Sequence, residues 1–269
     1  LLCNMTNFDE QLHQLVIAAL QEDVGNGDHS TLSCIPPNQQ GKAVLKIKQA
    51  GILAGVAVAE KIFKQVEPTA QFIAFKKEGD LMVIGEQAFE VTASIHTILT
   101  CERLVLNCMQ RMSGIATLTN SYVQLLKEFN TQLLDTRKTT PNFRLLEKEA
   151  VKIGGGMNHR FGLYDMIMLK DNHIDYAGGL ENAIEKAWQY VTTQQPHLKI
   201  EVETRSIEDV ETVCSIGKGK VFRIMLDNFT PEQVLHAVKL INNQFETEAS
   251  GGINYQTIQS YAATGVDYV

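Results

Sequence analysis

The chain has 269 residues, 44% of them hydrophobic and 20% charged, enough for one large core or two unequal domains and too balanced for a disordered chain. A formal net charge of −7 excludes a broadly basic surface for nucleic acid or anionic lipid, so any anion site has to be a local cationic cluster. Five cysteines (Cys3, Cys34, Cys101, Cys108, Cys214) at no metal-like spacing predict reduced thiols in a cytoplasmic protein. No basic leader precedes the first residues and no run approaches the ~18 apolar residues of a membrane span, so neither export nor an anchor is expected.

Residues 7–22 carry a helical stripe of Leu12, Leu15, Val16, Ala19 and Leu20, closed by the breaker GNGD. Residues 41–100 alternate β-branched and polar residues between glycines, with a short helical piece, VAVAEKIFKQV, and predict a small antiparallel sheet domain. A long helix from Cys101 to Phe129 bridges to the second half of the chain, placing the domains at 1–115 and 116–269.

Beyond it, short apolar runs end in polar residues and alternate with helical stretches. The runs are TQLLDTRK (131–138), YDMIMLKDNH (164–173), LKIEVETRS (198–206), VFRIMLDNF (221–229), FETEASGG (245–252) and the final VDYV. The helix after Phe229 has Thr230 as N-cap, Pro231 at its first position and Gln233 completing a capping box. Strand, polar end and helix in repetition predict a parallel α/β barrel, incomplete and with fewer than eight strands, whose polar strand ends meet at one mouth.

The early strand ends are cationic: Arg137 and Lys138, then His159 and Arg160 after Gly154-Gly155-Gly156, then Lys170 with His173. The later ends are acidic, with Glu201 and Glu203 on one side of their strand by period-two geometry, then Asp227; the last is Ser250-Gly251-Gly252. Singly, each has a plain structural reading: solvated loop charges, a glycine turn, a helix-starting aspartate, the wet face of an edge strand. In a buried strand, however, two carboxylates on one side need partners. Cations facing carboxylates suit a polyanionic substrate carrying a divalent metal, and a Ser-Gly-Gly turn offers N–H groups to a phosphate.

The segments DTRKTTP (135–141), GGGMNHR with GLYD (154–165), MLKDNH (168–173), EVE (201–203), LDN (226–228) and EASGGI (248–253) resemble, in order, the motifs of the quinolinate phosphoribosyltransferases. ERLVLNCMQRMSGIAT (102–117) and EDVGNGDHST (22–31) fit as well. The resemblance implies a small N-terminal α/β sandwich domain plus an incomplete α/β barrel, in a homodimer with shared active sites, dimer versus hexamer being left open. It implies that Arg103 reaches the neighbour's site and that Arg137, His159, Arg160 and Lys170 bind the two carboxylates of quinolinate. Lys138 and Lys170 would lie near the phosphates of phosphoribosyl pyrophosphate, with Thr139 as a further substrate-binding residue. Glu203 and Asp227 would line the ribose and Mg²⁺ region, with Glu201 as a weaker candidate, and Ser250, Gly251 and Gly252 would hold the 5′-phosphate. Of these, Lys138, Lys170, Glu203 and Asp227 are the expected catalytic residues.

Two departures stand out. Asn142 takes the place of the family's usual small residue after TTP, and the family pattern continues past GVDYV with a further phosphate loop. The implied reaction joins the pyridine nitrogen to the anomeric carbon as pyrophosphate leaves, then loses the ring 2-carboxylate as CO₂. It needs no covalent nucleophile, in keeping with the absence of a Ser-His-Asp or Cys-His pattern. Three rivals stay open: a sister transferase using nicotinate, a barrel lyase with a Schiff base on Lys170, and a non-catalytic sensor of phosphorylated metabolites.

Overall fold

The structure, a computed structural model, describes residues 8–269. The element order is α1 (Phe8–Val24), α2 (His29–Cys34), β1 (Gln40–Lys46), β2 (Gly51–Ile52), α3 (Val56–Val66), β3 (Gln71–Ala74), β4 (Leu81–Met82), β5 (Gln87–Ser94) and α4 (Ile95–Leu126). Then come α5 (Arg144–Ile153), β6 (Ile167–Leu169), α6 (Asp171–Ala177), α7 (Leu180–Gln194), β7 (Ile200–Thr204), α8 (Ile207–Ile216), β8 (Arg223–Asp227), α9 (Pro231–Ile241), β9 (Glu246–Ser250) and α10 (Ile258–Ala262). The described chain divides into two compact units, residues 8–120 with 138–155, and residues 121–137 with 156–269. The expected boundary at residue 115 falls inside the 32-residue helix α4.

The first unit holds the antiparallel sheet β1-β5-β3 and the pair β2-β4. Alternation buries Ala88, Phe89, Val91 and Ala93, which share a core with Ile62 and Phe63 of α3 and Val105, Met109 and Met112 of α4. Phe72 and Phe89 stack at 4.6 Å, with Phe63 edge-on to Phe89. Helix α4 also supplies hydroxyls to backbone that would otherwise be unsatisfied: Ile52 N donates to Thr117 Oγ1 (2.8 Å) and Ala54 N to Ser113 Oγ (3.0 Å). Gly154 must be glycine because a Cβ there would lie 2.6 Å from Ala116 O and 2.7 Å from Thr119 Cβ. The first two glycines of the triplet thus belong to a close approach and a turn, with Gly155 at φ +94°.

The second unit is built on the parallel sheet β6-β7-β8-β9, each strand followed by a helix. Ile200 and Val202, Ile224 and Leu226, and Ala249 face the helices and pack with Ile184, Val210, Val213, Val234 and Ile241. The Thr230, Pro231, Gln233 capping box starts α9 as the sequence predicts, worth about 1 kcal/mol. At the β9 edge, single parallel bridges carry the ladder on, from Glu248 to Tyr268, from Tyr268 to Gln132 and from Leu134 to Met157. No ladder among the described residues joins Met157 to β6, so the barrel is incomplete, with fewer than eight strands.

Two expected runs are shorter than predicted. TQLLDTRK pairs only at Gln132 and Leu134, and YDMIMLKDNH gives a three-residue strand whose DNH instead opens α6. Lys170 N donates to His173 Nδ1 (3.1 Å), so His173 caps that helix.

Candidate active site

Period-two geometry sets the inner face of the second unit. Met168, Glu201, Arg223 and Glu246 lie side by side across β6 to β9, and Glu203, Met225 and Glu248 form the next row. Register therefore settles the orientation of Glu201 and Glu203, which share this face but not a depth: Glu201 is 0% exposed, whereas Glu203 bonds Lys170, an exposed residue.

The deeper row holds a buried charge cluster. His159 Nε2 lies 2.9 Å from Glu201 Oε2 and 3.4 Å from Glu248 Oε2. Arg223 Nη1 donates to Glu248 (2.9 Å) and Nη2 to Glu246 (2.9 Å), and its guanidinium stacks 4.1 Å over the Tyr268 ring. Burial alone would push the His159 pKa down, yet hydrogen bonds and charges of the two glutamates carry it up to about 9. Arg160 N–H donates to His159 Nδ1 (2.8 Å), and a second ring proton displaces that bond, so the rise is a balance the carboxylates win.

Burial and the neighbouring Glu248 charge push the Glu201 carboxyl up. Glu248 is held down against burial by His159 and Arg223. The donor atoms of His159, Glu201 and Glu248 lie close enough to suggest a metal, but the Arg223 guanidinium already fills the cation's place beside Glu248. Glu201, the weaker candidate for the ribose and metal region, is hydrogen-bonded to His159. Glu248 and Arg223 escaped the sequence reading; Arg223 was findable as the residue that opens β8 opposite Glu201.

Above this cluster lie the cations expected to meet substrate. Arg137 is half-buried, and Arg160 donates through Nη1 to Met166 O (3.0 Å). The Arg160 pKa is depressed by burial and then by the charge of Arg137, so two guanidinium groups share one neighbourhood. Lys170 Nζ donates to Glu203 Oε2 (2.8 Å). The half-buried Asp227 carboxyl is pushed up by burial and by Glu203, a like-charge pair that a cation would relieve.

At the end of β9, Ser250 O accepts from Asn228 N (2.8 Å). Gly251 sits at φ +93°, where a Cβ would be 2.2 Å from Asn228 Oδ1, and Gly252 follows at +68°. Arg103, Lys138 and Thr139 belong to the first unit, Arg103 and Lys138 exposed and Thr139 half-buried. The thiols of Cys101 and Cys108 are pushed by burial up to about 12 and about 11, which leaves neither as a nucleophile.

With this geometry, the likeness to known proteins is specific. Residues 28–113 match the family described as quinolinate phosphoribosyl transferase, N-terminal domain, and residues 115–269 match its C-terminal domain. A chloroplastic nicotinate-nucleotide pyrophosphorylase (carboxylating) of Arabidopsis thaliana is 40% identical over 96% of this chain and 77% of its own. A probable nicotinate-nucleotide pyrophosphorylase of Bacillus subtilis is also 40% identical, over 96% of this chain and 87% of its own. The crystal structure of NadC from Streptococcus pyogenes superposes with a TM-score of 0.90 at 40% identity, covering 99% of this chain and 92% of that one. Human nicotinic acid phosphoribosyltransferase, at 9% identity and a TM-score of 0.62, shares the fold alone. The chain belongs to the quinolinate phosphoribosyltransferase family.

Proposed function

We propose that this chain transfers the phosphoribosyl group of phosphoribosyl pyrophosphate to quinolinate, giving nicotinate mononucleotide, CO₂ and pyrophosphate, a step of NAD biosynthesis. The observation that carries the reading is the half-buried neighbourhood that Arg160 shares with Arg137, where burial and then the Arg137 charge disfavour the charged form of Arg160. Such a pair is stabilised by a dianion, and two ring carboxylates supply one.

Arg137, His159 and Arg160 seat quinolinate, and Lys138, Thr139 and Lys170 face the phosphates of the second substrate. Ser250, Gly251 and Gly252 hold the 5′-phosphate on backbone N–H groups. The ring nitrogen forms a bond to the anomeric carbon as the bond to pyrophosphate breaks. The C2 carboxylate then leaves as CO₂, its electron pair staying at C2 to be protonated. Alignment and charge stabilisation account for the chemistry, with Glu203 and Asp227 beside the cationic ribose.

Glu203 and Asp227 offer hard oxygen donors whose mutual repulsion Lys170 relieves only in part, a setting that suits Mg²⁺ bound with phosphoribosyl pyrophosphate, directly or through water. Bound there, Mg²⁺ would screen the charge of the departing pyrophosphate. A Schiff base on Lys170 is disfavoured because its Nζ is already engaged by Glu203 Oε2 at 2.8 Å.

A cytoplasmic homodimer with shared sites completes the reading. Leu81, Val83, Ile84 and Leu118 are exposed on the first unit, apolar surface of the kind a second copy covers. Mixing Arg103→Ala with Lys170→Ala protein tests the sharing: recovered activity supports it, and none refutes it. Sedimentation separates dimer from hexamer, and fractionation of expressing cells tests the compartment.

The decisive assay gives the purified full-length protein Mg²⁺, phosphoribosyl pyrophosphate and either quinolinate or nicotinate. Quinolinate-dependent release of CO₂ with nicotinate mononucleotide, abolished by Arg137→Ala, supports the proposal. Turnover of nicotinate without CO₂ overturns it.

A further inference from the structure

The loop that carries Arg137, Lys138 and Thr139 has no strand or helix of its own: residues 135–140 belong to neither, and α5 begins only at Arg144. Its far end is fastened to one carboxylate. Glu147, on the first turn of α5 and 6% exposed, accepts from Thr140 N at Oε2 (3.1 Å) and from the Thr140 hydroxyl at Oε1 (2.9 Å). The same Oε1 takes both Nε (2.9 Å) and Nη2 (2.7 Å) of Arg111, which comes from α4 thirty-six residues earlier. Next to it, Arg144 Nε donates to Thr139 Oγ1 (3.0 Å). Asn142 turns the chain at φ +62°, a conformation Asn tolerates better than other side chains, which explains how it replaces the family's small residue.

A buried carboxylate would ordinarily be driven toward its neutral form. Here burial is outweighed by Arg111 and Thr140, and the Glu147 pKa falls below its usual value. The side chain therefore stays anionic, and an anion accepts the Thr140 N–H and hydroxyl more strongly than a neutral acid does.

We propose that Glu147, held by Arg111, is a positioning residue that fixes the substrate loop through Thr140. The inference rests on the functional reading above. Because Lys138 and Thr139 are nearer the anchor than Arg137, loosening it disturbs phosphoribosyl pyrophosphate more than quinolinate.

The test uses Glu147→Gln, Arg111→Met, Thr140→Val and Thr140→Ser in the full-length enzyme, with both KM values, kcat and thermal midpoints measured. The expected result is a KM for phosphoribosyl pyrophosphate raised on the order of tenfold in the first three variants, a smaller change for quinolinate, and recovery in Thr140→Ser. A purely structural role lowers the thermal midpoint or the active fraction and leaves both KM values alone, which would overturn the proposal. Should Glu147→Gln fail to fold, the exposed partners Arg111 and Thr140 still decide the matter. Absence of wild-type turnover would count against the functional reading, whereas wild-type turnover with unaltered variants counts against this inference alone.

Discussion

His159 Nε2 stands 2.9 Å from Glu201 Oε2, and the two residues come from opposite ends of the bridged ladder: His159 follows Met157 by two residues, while β7 neighbours the edge strand β6. That contact spans the inner face of the incomplete barrel. It also converts a row of buried charges, each expensive alone, into a mutually compensated set.

Breaking the set from its centre should be costly. Arg223→Met removes the guanidinium from Glu246 and leaves Glu248 with His159 alone, and is expected to destabilise the fold by roughly 3–5 kcal/mol. Glu201→Gln keeps a hydrogen-bonding oxygen beside His159 and removes one of two repelling carboxylates, with an expected cost of about 1 kcal/mol. Urea unfolding of both variants checks the ranking, and equal losses would contradict it.

The same cluster predicts a pH dependence. The His159 pKa is raised in the fold from 6.5 to about 9, so the stability it contributes is complete below pH 6.5 and is lost as pH rises through about 9. The loss across this window is on the order of 2–3 kcal/mol. Glu248, whose pKa is lowered, contributes in the opposite sense, with stability present above its ordinary 4.5 and lost on acidification. Urea midpoints between pH 6 and 9.5 should fall for the wild type and stay flatter for His159→Gln.

Lys170 separates function from stability. Its pair with Glu203 has one exposed partner, so Lys170→Met should cost less than about 1 kcal/mol of stability. Its kcat/KM should drop by about a hundredfold or more, because a charge-assisted contact worth about 3 kcal/mol in the transition state is gone. Borohydride treatment during turnover should trap no adduct on Lys170; a trapped adduct would revive the lyase reading.

Gly251→Ala places a Cβ 2.2 Å from Asn228 Oδ1 and 2.8 Å from Asn228 N, at a φ of +93° that alanine also resists. We expect the KM for phosphoribosyl pyrophosphate to rise by at least about tenfold with kcat for bound substrate less affected. Gly252→Ala, with open space around its Cβ, should be milder.

Legibility from sequence differed with the kind of interaction. Local chemistry was readable: Thr230, Pro231 and Gln233 announce α9, and the alternation in KIEVET puts Glu201 and Glu203 on one side of β7. Motifs were enough to nominate Arg137, Arg160, Lys170, Glu203 and Asp227. Partnerships across distant segments were not, since nothing near Glu201 in the chain says that it meets His159, forty-two residues earlier. Helix α5 falls among the helical stretches expected between runs, but its burial of the charged Glu147 and Lys148 could not be read from the sequence, because their partners are set by the fold. The run 131–138 looked like a full strand from its apolar residues, yet it pairs at only two positions, where single bridges suffice to extend the ladder.

The two ends of the strand series differ in how freely they can change. Around Gly251 the chain passes so close to Asn228 that no side chain fits, so that corner is closed to gradual substitution. Lys138 and Lys170, by contrast, are exposed. A substitution at the exposed rim therefore exchanges one side chain, whereas a substitution at Gly251 has to move the chain itself.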